Sequence, residues 1–271
     1  MKADNKVVVI GAGISGAAAA RVLAERGKKV LLVEKNDHVG GSVYDYVDDG
    51  IIVQAHGPHI FHTDDFDVFK FLSKFTQWQE YDHRVSGYID GKFVPLPFNL
   101  TSLSMLRKDS ESIERKLVSV YGLGKSVSVG ALMRSSDATI SEFGRFVYEK
   151  VFSYYTLKQW GSRTVPDSVL DRVPVKICYQ HGYFDDRYIY QPVDGFTAMI
   201  EKMLSHPNIE LKLSCDGREL IDVGDEEIKL EGEACPVVFS GRIDELFNYK
   251  YGKLLYRTLD FKFERYDIPS F

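Results

Sequence analysis

The chain has 271 residues, 44% hydrophobic and 27% charged, with a formal net charge of −5. That length holds one large domain or two ordinary ones around a buried core, and the apolar content excludes a disordered or fibrous protein. The mild acidity argues against a nucleic-acid partner, and no run reaches the ~18 apolar residues that a membrane helix needs.

Met1-Lys2-Ala3-Asp4 leads straight towards a short strand, with no visible secretory signal. Val7 to Ile10 is an all-apolar run, the pattern of a strand buried on both faces. Gly11-Ala12-Gly13-Ile14-Ser15-Gly16 follows, then a helical stretch from Ala17 to Arg26 closed by Gly27. Four consecutive alanines keep that helix thin enough to lie close on a sheet. Val30 to Val33 predicts a second buried strand, ended by Glu34, which completes a βαβ unit. A loop with paired glycines runs from Asn36 to Gly41. Hairpins are predicted for Val43 to Val53, turning at Asp48-Asp49-Gly50, and for Arg84 to Leu96, turning at Asp90-Gly91. Between them, Thr63, Asp64 and Asp65 read as a helix start, with Phe66, Phe69, Leu72 and Phe75 on one face.

From Asn99 to Trp160 the pattern is mainly helical. Ile113, Leu117 and Val120 mark one stripe, and Ile140, Phe143, Val147 and Val151 another, which predicts a small bundle. Strands return at Tyr188 to Pro192, Glu210 to Ser214 and Glu227 to Leu230, with a helix over Gly195 to Leu204. Val237 to Gly241 is an apolar strand ending in glycine that can rejoin the first sheet. Tyr256 to Tyr266 reads as a long alternating strand. Cys178, Cys215 and Cys235 show no CxxC spacing, which argues against a disulfide framework or structural zinc and fits a reducing cytoplasm.

The glycine turn carries the first functional signal. Gly11 permits a tight turn, Gly13 lets a diphosphate approach the backbone, and Gly16 allows close helix–sheet contact. The helix beginning near Ser15 offers N–H groups to phosphate oxygens. Glu34, with Lys35 beside it, is placed to take the adenosine ribose. Glu34 fits FAD and NAD equally. Gly40-Gly41, directly after the second strand, gives a second approach free of side chains, suited to a large extended cofactor such as FAD.

At this point the chain resembles the UDP-galactopyranose mutase family. The resemblance is carried by Gly11 to Gly16, His38-Val39-Gly40-Gly41, Gly57-Pro58-His59-Ile60-Phe61-His62-Thr63, Tyr88-Ile89-Asp90-Gly91 and Pro97-Phe98-Asn99. It continues through Tyr155-Thr156-Leu157-Lys158-Gln159-Trp160-Gly161, Arg172-Val173-Pro174-Val175, Tyr183-Phe184-Asp185-Asp186-Arg187-Tyr188, Asp194-Gly195-Phe196-Thr197 and Arg257-Thr258-Leu259-Asp260-Phe261. The histidine segment and Lys158-Gln159-Trp160-Gly161 are the specific parts.

The resemblance implies an α/β fold: a Rossmann-like FAD-binding domain with an inserted helical bundle and an antiparallel sheet. The expected parts are 1–98 for the first part of the FAD domain and 99–165 for the bundle. Residues 166–232 would form the antiparallel sheet and substrate region, and 233–271 a return strand and the start of a final sheet segment. It also implies a cytoplasmic flavoenzyme, often dimeric, that interconverts UDP-galactopyranose and UDP-galactofuranose for cell-surface polysaccharide. NAD(P)H or another donor would reduce the flavin, whose N5 then acts as a nucleophile without net redox change.

His59 and His62 would lie beside the flavin ring, tuning it and relaying protons. They are three residues apart with no third ligand suggested, so no metal is expected. Arg172 would grip the departing diphosphate bidentately. Tyr155, Tyr183 and Trp160 would line the nucleotide and sugar cleft, with Thr156, Lys158, Asn99 and Arg187 as further contacts.

The chain departs from the family pattern at several points. Gln54-Ala55-His56 stands where His-Lys-Tyr is common, and Ser42 where Asn is common. Ile189-Tyr190-Gln191 replaces Gln-Gly-aliphatic, and Ser240-Gly241-Arg242 replaces Thr-Gly-Pro. Family members also continue well beyond this length, so a chain of this extent is expected to have weak or no mutase activity alone, or to need a complementary C-terminal chain. The competing readings are an amine-oxidase-like FAD oxidoreductase and a noncatalytic fragment.

Overall fold

The structure is a computed structural model that describes residues 5–154, 158, 166–224, 227–256 and 258–268. Contacts divide the chain into two compact units, residues 1–81 with 187–271 and residues 82–186. The first unit runs β1 (Lys6–Ile10), α1 (Ile14–Glu25), β2 (Lys29–Val33), β3 (Asp45–Asp48), β4 (Ile51–Gln54), β5 (Phe61–Thr63), α2 (Phe66–Leu72) and β6 (Trp78–Glu80). The second holds β7 (Val85–Ile89), β8 (Lys92–Leu96), α3 (Leu100–Leu106), α4 (Ser110–Tyr121), β9 (Ser126–Ser128), α5 (Val129–Met133), α6 (Ala138–Val147), α7 (Asp167–Leu170) and β10 (Pro174–Lys176). The chain then re-enters the first unit as β11 (Tyr188–Pro192), α8 (Gly195–Leu204), β12 (Ile209–Lys212), β13 (Ile221–Val223), β14 (Ile228–Leu230), β15 (Glu233–Ala234), β16 (Val237–Phe239) and α9 (Ile243–Leu246).

The first unit is built on a parallel sheet in the order β12-β2-β1-β16. Val8 and Val9 of the central β1 are fully buried on opposite faces, as expected of a strand covered on both sides. On one face, Val9 and Leu32 pack with Ala17, Ala20 and Ala24 of α1 and with Met199, Ile200 and Met203 of α8. Each fully buried valine, leucine, isoleucine or methionine among them contributes about 1.5–3 kcal/mol. On the other face, Val8 and Ile10 pack with Ile221 and Leu230 of the antiparallel β13-β14-β15 sheet. A second antiparallel sheet, β5-β11-β6, stacks aromatic rings. Phe69 of α2 lies 4.3 Å from Tyr188, and Phe61 lies 4.7 Å from Trp78. These rings pack against one another.

In the second unit, Phe98, Leu117, Ile140, Phe143 and Val147 share one core. Val120 ends its helical stripe in solvent. The β7–β8 hairpin belongs to this unit and not to the residues before it. Ser102 Oγ donates to the Pro95 carbonyl, Lys92 Nζ donates to the Met105 carbonyl, and Leu96 joins the bundle core. The contact boundary therefore falls near Tyr81, earlier than the expected 98. Ile209–Lys212 likewise lies in the parallel sheet rather than an antiparallel one.

Both predicted turns are present, with positive φ at Asp49 and Gly50 and at Asp90 and Gly91. That pairing matches the twist of a two-residue hairpin. The long strand expected at Tyr256 to Tyr266 is not formed among the described residues. No described strand runs beside it to complete a ladder, and Leu259, Phe261, Phe263 and Tyr266 are exposed. No helix among the described residues is long and apolar enough to cross a membrane.

Candidate functional site

A cavity of about 570 Å³ opens at the carboxyl ends of the parallel strands, lined in part by Gly11, Gly13, Ser15, Glu34, Lys35 and Gly41. The crevice beside β1, where strand order reverses, is where open α/β sheets take their ligands. Gly11 holds φ +101 and donates its N–H to the Val33 carbonyl at 2.8 Å. A β carbon there would strike Ser240 Oγ, and one at Gly16 would strike the Gly11 carbonyl. These two glycines are explained by packing. Gly13 is different: its backbone is extended (φ −73, ψ 178), and a β carbon would meet nothing nearer than 3.8 Å. Nothing among the described residues requires glycine there. The space it keeps open fits a group held against the N-terminus of α1, where N–H groups and the helix dipole favour an anion. Gly40 and Gly41 face this turn. Gly40 N–H donates to the Ala12 carbonyl at 2.9 Å, and a β carbon on Gly41 would reach Gly13 Cα at 3.0 Å.

Glu34 is buried, and its carboxylate has work within the protein. Oε2 accepts from Ala12 N–H at 2.7 Å and Oε1 from Asn36 N–H at 3.0 Å. One side chain thus ties both glycine loops and keeps further acceptor lone pairs. Glu34→Ala is expected to lower stability by about 1–3 kcal/mol through the stranded amides, read as a reduced urea midpoint. Glu34→Gln, which keeps one acceptor oxygen, should fall between the two. An unchanged midpoint in Glu34→Ala would show that the loops hold without the carboxylate.

Residues from distant segments complete the cavity: Asp216, Arg218, Ser240, Arg242, Glu245 and Tyr256. Arg218 pairs with Asp216 at 2.6 Å, and this guanidinium holds the Asp216 carboxyl below the usual carboxylate range against the opposing effect of burial. Arg242 lies with its guanidinium 4.8 Å from the Tyr256 ring centre. None of these carries a local motif. Only the apolar strand ending in Ser240-Gly241 hinted that this part of the chain returns to the sheet.

His59 is partly buried between β4 and β5. Its Nδ1 lies 2.8 Å from the Gly57 carbonyl. A carbonyl only accepts, so Nδ1 donates to it and Nε2 is the ring nitrogen left for a further partner. The His59 backbone is clamped twice. The Gln54 amide accepts from His59 N–H and donates to the His59 carbonyl, and Gln191 Nε2 donates to that carbonyl at 2.7 Å. Both glutamines sit where the sequence departs from the family pattern. His62 is exposed on β5, opposite Ile189 in the ladder.

The other described candidates are each placed within their own unit. Arg187, in the first unit, donates its backbone N–H to Asp64 Oδ1 at 2.8 Å and lays its guanidinium over the Tyr188 ring at 5.3 Å. In the second unit, Arg172 is exposed just before β10. The Asn99 side chain is occupied structurally, accepting from Ser102 N–H and donating to the Gln180 carbonyl, both at 3.0 Å. Tyr183 is half exposed and meets His83 edge-on at 5.4 Å. Its loop is held by the buried Lys176, which donates to the Gly182 and Tyr183 carbonyls and to Asp185. Lys158 is exposed, whereas Tyr155, Thr156 and Trp160 lie outside the described residues.

Residues 150–271 match the family profile described as UDP-galactopyranose mutase, and residues 9–75 that of an NAD(P)-binding Rossmann-like domain. The chain is 37% identical to the dTDP-fucopyranose mutase of Escherichia coli, over 95% of this chain and 68% of that protein. It is 35% identical to the UDP-galactopyranose mutase of Mycoplasma pneumoniae, over 97% of this chain and 68% of that one. A solved structure of reduced UDP-galactopyranose mutase superimposes with a TM-score of 0.60 over 90% of this chain and 57% of that one; at 19% identity this shows likeness of fold. The chain thus spans about two thirds of the length of these curated relatives, and less of the solved one. Identity of this degree across nearly the whole chain, joined to the glycine turn and the parallel sheet beneath it, establishes that the chain belongs to the UDP-galactopyranose mutase family.

Proposed function

We propose that the cleft binds FAD and that the chain serves a flavin-dependent ring interconversion of a nucleoside-diphosphate hexose, UDP-galactopyranose to UDP-galactofuranose. The observation that carries the cofactor reading is Gly13, an unstrained glycine whose missing side chain leaves room that no described residue fills. Ser15 and the first turn of α1 would take the diphosphate, Glu34 and Lys35 the ribose end, and Gly40-Gly41 the passing backbone of the coenzyme. When bound and reduced, the flavin supplies a nucleophile and an electron pair.

The protein's own part is binding, charge neutralisation and proton placement. His59 Nε2, with its ring held by the Gly57 carbonyl and its backbone by Gln54 and Gln191, holds or moves a proton. His62 is a second proton-carrying candidate. Arg172 neutralises the substrate diphosphate, and Tyr155, Thr156, Trp160, Tyr183, Asn99 and Arg187 make up the remaining substrate set, on the strength of the family resemblance. A cytoplasmic reductant such as NAD(P)H, and a homodimeric or complementing partner chain, belong to the same reading.

The test begins with an absorbance spectrum of gently purified protein and an FAD titration. Gly13→Ala is expected to weaken FAD binding at least about tenfold. Its stability cost should be at most about 1 kcal/mol, the difference between glycine and alanine at an N-cap. FAD uptake unaffected by the substitution would sink the cofactor assignment. Anaerobic addition of UDP-galactofuranose, UDP-galactopyranose or dTDP-fucopyranose then separates the chemistries. A mutase substrate leaves the flavin's redox state unchanged, and one that bleaches the flavin favours an oxidoreductase.

A further inference from the structure

Resting on the reading of the cleft as an FAD site, we infer that Arg242 is the side-chain cation that grips the coenzyme diphosphate. The glycine turn does not supply this charge itself. The first turn of α1 consists of Ile14, Ser15 and Gly16, so it offers N–H groups and the partial charge of a helix end but no full positive charge. A diphosphate diester bears a negative charge on each phosphate. Among the described residues, three cationic side chains line the cavity: Lys35, Arg218 and Arg242.

Position and commitment distinguish them. Lys35 follows Glu34 at the end of β2, on the ribose side of β1. Arg218 is locked onto Asp216 by bonds of 2.6, 3.0 and 3.2 Å. Arg242 follows β16, which pairs with β1 in register Ile10↔Phe239. Two residues before it, Ser240 Oγ donates to the Ile10 carbonyl at 3.1 Å and sits where a Gly11 side chain would be. Arg242 therefore springs from backbone packed directly on the glycine turn.

Its present contacts leave it available. Among the described residues its one ion pair is a 3.3 Å contact with Glu245, and the side chain remains 56% exposed. Glu245 also has Arg218 at 3.7 Å, so it keeps a cationic partner when Arg242 moves away. Tyr256 supports the guanidinium by its face at 4.8 Å. This cation–π contact uses no oxygen acceptor, and a planar guanidinium is suited to bidentate phosphate recognition.

The experiment is a flavin-fluorescence titration of the full chain with FAD at low and high salt, for wild type, Arg242→Gln and Arg242→Lys, with ADP and adenosine as competitors. Arg242→Gln is expected to weaken FAD about tenfold to a hundredfold, to flatten the salt dependence, and to erase most of the advantage of ADP over adenosine. Arg242→Lys should recover part of each. Wild-type affinity and salt dependence in the Gln variant would overturn the assignment while leaving the FAD site intact. Affinity that falls only in step with a falling urea midpoint, at an unchanged ADP-to-adenosine ratio, would overturn it as well. A wild-type chain that takes up no FAD overturns both this inference and the cofactor reading.

Discussion

Gly16→Ala is expected to destabilise the first unit by about 3 kcal/mol, the upper end of the usual cost of overpacking. The added methyl would be driven into the Gly11 carbonyl oxygen, with the Gly11 carbonyl carbon at 3.1 Å and Ser240 Oγ at 3.0 Å. Backbone on the far side has no rotamer into which it can retreat. Relief requires α1 to lift from the sheet, which loosens Ala17, Ala20 and Ala24 from Val9 and Leu32. The urea midpoint should fall, and FAD retention should fall with it because the turn itself is displaced. Gly13→Ala, three residues earlier, should lose the cofactor and keep the fold. Wild-type stability in Gly16→Ala would mean that the helix does not lie against the turn as described.

Asp45→Ala is expected to cost a similar amount, about 3 kcal/mol, for a different reason. Asp45 is buried on β3, and its carboxylate accepts from the first-turn amides of α8: Phe196 N–H at 2.6 Å and Thr197 N–H at 2.9 Å. The backbone closes the arrangement in return. Asp45 N–H donates to Thr197 Oγ1, and that hydroxyl donates to the Asp45 carbonyl, both at 2.8 Å. Alanine would strand two amides at a buried helix end and remove the negative charge that complements the helix dipole. Asp45→Asn keeps one acceptor and should show an intermediate loss. Amide exchange at Phe196 and Thr197 is the direct readout. Protection equal to wild type in Asp45→Ala would show that α8 is capped by something else.

The same cap shows where a sequence stops being legible. Asp194 directly precedes α8 and has the composition of an N-cap, but its carboxylate pairs with Lys202 and makes no cap bond. The acceptor comes from Asp45, 151 positions away, and nothing local announces it. Glycine-bearing features were legible because their physics is local. The turn at Gly11 to Gly16, the two Asp-Gly hairpins and the helix over Gly195–Leu204 lie where the residues indicate. Ile209–Lys212 was harder: as the sheet's outer strand it is exposed at three consecutive positions, so its pattern does not report a parallel neighbour.

The cleft was half legible. Gly11, Gly13, Ser15, Glu34, Lys35 and Gly41 come from one βαβ unit and could be named together. Arg218 and Arg242 reach the same space from segments whose only common feature is the sheet they follow. The second error has the opposite cause. Tyr256 to Tyr266 alternates as a strand should, but alternation describes which side chains would share a face and says nothing about whether a neighbour exists to bond the backbone.

The hydrogen bond from Gly40 N–H to the Ala12 carbonyl, with Glu34 gripping Ala12 from below, joins two loops that would otherwise move independently. On the proposed FAD reading, an arriving coenzyme would meet a saddle already assembled, and little of its interaction energy would be consumed in ordering floppy peptide. Uptake should accordingly follow simple bimolecular kinetics, with a rate proportional to coenzyme concentration and no slow isomerisation phase. Residence time, rather than capture, is then the quantity that side chains around the rim are able to tune.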